Sequence, residues 1–224
     1  MLECCILFLH HHTDATTRAH LNLLRRMNPD PVVALVDGAE DRLAGSFDAG
    51  RPEWGATGST WFHVDTAIYR WFRHGGIKAK RYVFLEYDAH ASMSVREAYA
   101  SVWDADAAAS RLERVEEGSD WCWFQAIPTI PPHLRTHAAG LAPMNGILLS
   151  HRALAMLAAI PPNRLPDCHC ELRIATLLRA GGFELTALPS PFRATNEWHP
   201  SLIHFDPDRP GIYHPVKHFA TEVA

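Results

Sequence analysis

Two carboxylates one residue apart, Glu86 and Asp88, close the run Arg81-Tyr82-Val83-Phe84-Leu85, whose aromatic and branched side chains suit a buried strand. Strand side chains repeat with period two, so both acids face the same side. A buried strand has no use for paired acids in its interior, which assigns them to its carboxyl end, the edge where parallel sheets bind ligands. Hard oxygen donors placed in this way suit Mn²⁺ or Mg²⁺, ions that hold a substrate's phosphates through one or two protein carboxylates. A strand end with solvated charges and no metal is the alternative reading of the same residues.

Positioning such a pair takes a sheet, and the pattern predicts one. Short apolar runs alternate with helical periodicity, which is the signature of an α/β fold: a single domain with a mainly parallel sheet flanked by helices. Strands are expected at 3–9, 32–36, 81–85, 121–126, 146–149 and 183–188. Asp14 should cap a first helix with Leu21, Leu24 and Met27 as its apolar stripe, stopped by Asn28-Pro29-Asp30-Pro31. Asp65 should cap a helix over 66–74, and a further helix is expected over 94–116. Ser150 should cap 151–160, and Asp167 should cap 168–180, closed by Gly181-Gly182. Residues 37–60 read as a long irregular connection. The last forty residues lack periodicity but carry Trp198, Phe205, Tyr213 and Phe219, so they should pack back on the domain.

The 224 residues are 47% hydrophobic, enough for one full core. A net charge of −4 gives no basic field, which argues against nucleic acid as a partner. No apolar run approaches the roughly 20 residues that span a bilayer, and the opening apolar stretch lacks the flanks of a signal peptide, so a cytoplasmic protein is expected. Five cysteines give no disulfide framework, and Asp167-Cys168-His169-Cys170 lacks the distant second ligand pair of a structural zinc site.

The ends of the early strands supply the remaining candidates. His10, His11, His12 and Thr13 follow the first strand, Asp37 follows the second, and Asp65 heads the next helix. His10, His12, Thr13, Asp37 and Asp65 are the donor- or nucleotide-binding candidates. Neither G-x-G-x-x-G nor G-x-x-x-x-G-K-[ST] occurs, so a phosphate site here depends on metal instead of a glycine-rich loop.

The order of these features over residues 3–216 resembles the GT-A-type glycosyltransferases, a Rossmann-like fold that binds nucleotide-sugar donors. Glu86-Tyr87-Asp88 resembles the family's DXD metal motif, with Glu in the first position. Gly140-Leu141-Ala142-Pro143-Met144-Asn145-Gly146 resembles its glycine loop, Glu171 in Cys170-Glu171 its catalytic base, and His214 in Gly211-Ile212-Tyr213-His214-Pro215 its C-terminal metal histidine. The resemblance implies an enzyme that moves a sugar from a nucleotide diphosphate donor to a glycan, lipid-linked or small-molecule acceptor. Mn²⁺ or Mg²⁺ would sit on Glu86, Asp88 and His214, and Glu171 would act as base in an inverting reaction. Gly140, Asn145 and Gly146 would meet the acceptor sugar, the glycines by letting the backbone approach it. Residues 1–90 would form the nucleotide-binding half and 91–224 the acceptor half. A nucleotidyltransferase and a non-catalytic nucleotide- or sugar-binding protein are the rival readings.

Overall fold

The structure, a computed structural model, describes residues 1–11, 13–36, 42–48, 60–189, 195–197, 199, 206 and 208–217. His12, Asp37, most of the 37–60 connection, Trp198, Phe205 and Phe219 lie outside the described residues. The chain runs β1 (Leu2–His10), α1 (Ala15–Met27), β2 (Val32–Val36), β3 (Phe47–Asp48), α2 (Val64–Arg73), β4 (Ala79–Glu86) and β5 (His90–Ala91). It continues through α3 (Val95–Ala98), β6 (Ala107–Ala109), β7 (Arg111–Arg114), β8 (Ala139–Ala142), β9 (Ile147–Ser150), α4 (His151–Ala159), α5 (Cys170–Ala180), β10 (Leu185–Ala187) and β11 (Ile212–Tyr213).

Seven strands form one mixed sheet in the order β10-β6-β9-β4-β1-β2-β3, parallel except for β9, which runs antiparallel to both β4 and β6. Alternation along β1 and β4 divides their side chains between two cores. Cys5, Leu7, Tyr82 and Phe84 face α2, α4 and α5, while Ile6, Phe8, Val83 and Leu85 face Leu21 and Leu24 of α1 and the segment around Tyr99. The register pairs Leu9 with Glu86 and His10 with Val36, so three strands end level on one edge.

Local signals explain the elements that match expectation. The Asp14 carboxylate accepts the Thr17 N–H at 2.8 Å and starts α1, and Ser150 caps α4 through the Ala153 N–H. Four expectations are corrected. The helix over 94–116 is only α3, a 3₁₀ turn, then β6 and β7: Ala107, Ala108 and Ala109 are fully buried between two strands, where pairing and close packing override alanine's helix preference. Residues 121–126 form no strand; Cys122–Thr129 is a 3₁₀ run. His63 replaces Asp65 as the residue before α2. His169, not Asp167, caps α5, its Nδ1 accepting the Glu171 N–H at 3.4 Å.

Candidate active site

The three candidate metal ligands reach the carboxyl edge on two parts of the chain. β4 delivers Glu86 and, in the turn after it, Asp88. The tail delivers His214: β11 pairs antiparallel with β5 through Tyr213 and His90, the Val216 N–H binds the Asp88 carbonyl at 2.8 Å, and the tail's return closes against residues 195–197. His214 Nε2 thereby stands 3.0 Å from Glu86 Oε2 and 3.3 Å from Asp88 Oδ1, and one ligand atom from each of the three lies within 4.8 Å of the other two.

The three residues fit a divalent cation. An octahedral ion with bonds of about 2.1 Å sets neighbouring ligands roughly 3 Å apart, close to the separations found. The His214 Nδ1–H donates to the Glu197 carbonyl at 2.7 Å, which fixes the ring and aims Nε2 at the carboxylates, as outer-shell partners of metal-bound histidines do. Burial opposes charge on His214, but hydrogen bonds to Asp88 and Glu86 raise its pKa to about 10. Burial likewise opposes ionisation of Asp88, yet His214 and Lys217 together hold it down to about 2. Lys217 forms a short ion pair with Asp88 and also donates to the Tyr87 hydroxyl at 2.9 Å.

Glu171 faces the same cleft from the first turn of α5. Its Oε1 accepts the Met144 N–H at 2.5 Å, and Oε2 lies 3.6 Å from His169 Nδ1. Burial raises its pKa to about 8. His169 beside it is driven the other way, to about 3, first by burial and then by the Arg173 charge, so it is neutral and can serve as the helix-capping acceptor. Its ring stacks on Trp123 at 4.2 Å and 3°.

These groups open into a cleft of about 700 Å³. Leu9, His10, Val36, Val64 and Ala67 form one wall; Trp121, Trp123, Met144 and Glu171 belong to its other parts. His10 binds the Ser46 hydroxyl at 2.8 Å through Nε2. Thr13 is buried and is not among the cleft-lining residues; its carbonyl accepts Arg18 Nε.

Four candidates have structural partners. Asp65 is fully buried and grips Arg173 through two hydrogen bonds of 2.9 and 2.6 Å, which removes it from the donor's reach. Gly140 and Gly146 are approached closely by protein: a Cβ on Gly140 would collide with the Trp121 ring, and one on Gly146, at φ +82°, would lie 2.5 Å from both the Tyr99 hydroxyl and Asn196. Asn145 lines the cleft, but its Oδ1 accepts the Glu86 N–H at 2.7 Å and its Nδ2 donates to Asn196, so its amide ties strand ends together. Lys217, His169 and Arg111 also line the cleft, and no local pattern in the sequence marks them.

No protein-family model matches the chain, and no curated protein matches it in sequence. Among solved structures, glucosyl-3-phosphoglycerate synthase from Mycobacterium tuberculosis in complex with Mn²⁺ and UDP-glucose is similar over 83% of this chain and 68% of its own, with 14% identity and a TM-score of 0.50. The fold is GT-A. The galactosyltransferase LgtC in complex with donor and acceptor sugar analogues is similar over 84% of this chain and 74% of its own, with 13% identity and a TM-score of 0.48. Within the GT-A sheet, the cluster of Glu86, Asp88 and His214 occupies the carboxyl edge, where open α/β sheets bind ligands. No helix among the described residues is long and apolar enough to cross a membrane.

Proposed function

We propose that this chain transfers a glycosyl group from a nucleotide diphosphate sugar to an acceptor hydroxyl, with Mn²⁺ or Mg²⁺ held by Glu86, Asp88 and His214. The observation that carries the reading is the meeting, in one cleft, of a three-ligand cation set and a buried carboxylate of raised pKa. The donor class is supported by the shared fold, since the glucosyl-3-phosphoglycerate synthase structure holds Mn²⁺ and UDP-glucose.

A bound cation supplies charge that stabilises the departing diphosphate. The chain's own groups do the rest. The apolar wall from residues 1–90, with His10, receives the nucleotide, while Trp121 and Trp123 from the 91–224 half exclude water and offer flat faces to the acceptor. Glu171, one oxygen fixed by the Met144 N–H, takes the acceptor's proton on the other as the new bond to the anomeric carbon forms and the bond to the diphosphate breaks. A carboxylate whose pKa approaches neutrality is a stronger base than an ordinary one. That step inverts the anomeric centre.

Calorimetric titration with a panel of nucleoside diphosphates, in Mn²⁺ and in chelator, tests the reading. Binding should require metal in the wild type, and Asp88→Asn should remove the difference without unfolding the chain. Equal affinity with and without metal overturns the cation site, and no binding by any nucleoside diphosphate overturns the donor class.

A further inference from the structure

Arg111 opens β7 and is the one arginine among the described residues lining the cleft. The register sets it opposite Ala142, two residues before the Met144 whose N–H holds Glu171, and its charge is one of those acting on Glu171. The two carboxylates that pair with it stand outside hydrogen-bond range, Glu113 at 3.8 Å and Glu197 at 3.9 Å. The Glu113 carboxylate has other work, accepting the Ser119 hydroxyl at 2.8 Å. Among the described residues the Arg111 guanidinium makes no hydrogen bond, and its Nε is buried without a partner. The contrast with Arg173 is plain, because that side chain donates to Asp65, Pro166 and Cys168 and is fully satisfied by the protein.

A planar cation whose donors are unused, facing a cleft, matches a ligand group with two or three negatively charged oxygens. The donor's diphosphate has its own counter-charges in the cation set and Lys217, on the tail and β4 side. Arg111 sits instead on the β7–β8 ribbon beside the carboxylate proposed to deprotonate the acceptor. We infer that the acceptor carries an anionic group, a carboxylate or a phosphate, which Arg111 binds while an acceptor hydroxyl faces Glu171. The inference rests on the glycosyl-transfer reading and narrows its acceptor from any hydroxyl compound to an anionic one.

The test measures nucleoside diphosphate release from a panel of nucleotide sugars with Mn²⁺ and three matched acceptors: glucose, glucuronate and glucose 6-phosphate. The wild type should favour one or both anionic acceptors over glucose, and which of the two is favoured separates carboxylate from phosphate. In Arg111→Gln that preference should fall at least about tenfold, chiefly through KM, and Arg111→Lys should restore part of it. Glucose turned over as well as the anionic acceptors, or a preference that survives Arg111→Gln, overturns the inference and leaves glycosyl transfer standing.

If none of the three acceptors is turned over, a second measurement decides the role of Arg111. Its Nε resonance, assigned by its loss in Arg111→Lys, is followed as inorganic phosphate or acetate is added to protein saturated with UDP and Mn²⁺. A saturable shift with either anion supports an anion subsite at Arg111, and a flat response to both overturns it.

Discussion

Glu171 holds the proposed chemistry at the scale of one residue, and its burial makes two separate predictions. In transfer, Glu171→Gln should keep metal-dependent nucleotide binding and lose rate by on the order of 10²- to 10⁴-fold, the usual loss on removing a general base. Wild-type turnover in that variant would leave Glu171 as a helix-start residue tied to Met144. In stability, the sign follows from its pKa, raised from an ordinary 4.5 to about 8. The native state binds the proton more tightly than the unfolded chain, so the contribution is full below 4.5 and is lost as pH rises through 8. Urea unfolding followed from pH 4.5 to 8.5 should therefore show a fall in stability for the wild type that is smaller in Glu171→Gln. Identical pH slopes would mean that the carboxyl is not raised. The residue type and its place in the first helical turn were legible from sequence, whereas the raised pKa comes from the burial around it.

At the scale of elements, α2 and α5 are joined by Asp65 and Arg173, both side chains fully buried. Asp65→Asn leaves a buried guanidinium without its counter-charge and should cost about 3–5 kcal/mol, while Asp65→Leu combined with Arg173→Met should recover most of that loss. Chemical denaturation of the single and double variants measures it, and purely additive losses would refute the coupling. The turn between β8 and β9 makes a second prediction. Gly146→Ala combines a left-handed backbone with contacts at 2.5 Å, so it should destabilise by on the order of 2–4 kcal/mol. A loss under about 1 kcal/mol would show that Tyr99 and Asn196 yield freely. Neither set of contacts is local: Arg173 lies far along the chain from Asp65, as do Trp121 from Gly140 and Asn196 from Gly146, so a residue and its neighbours do not reveal them.

For the whole molecule, the tail completes the cation cluster by returning to the strand edge. His214→Ala should weaken Mn²⁺-dependent nucleoside diphosphate binding, and truncation after Arg209 should weaken it at least as much, because it also removes the β11 pairing and Lys217. Calorimetry compares the three proteins. A truncated chain that binds as well as the full one would show that the tail only packs against the domain.

The chain's own pattern determined the α/β class, the strands β1, β2 and β4, the caps Asp14 and Ser150, and the acid pair Glu86 and Asp88. Those features depend on neighbours within a few residues or on periodicity, and both are written locally. Tertiary structure decided that Ala107–Ala109 is a strand paired on both sides, that Trp121 and Trp123 flank the cleft from a 3₁₀ run, and that Asn145 is a tie between strand ends. It also decided that Arg111 and Lys217 face the site. Each of these outcomes follows from burial or from a partner tens of residues away, and neither can be read from a residue and its immediate neighbours.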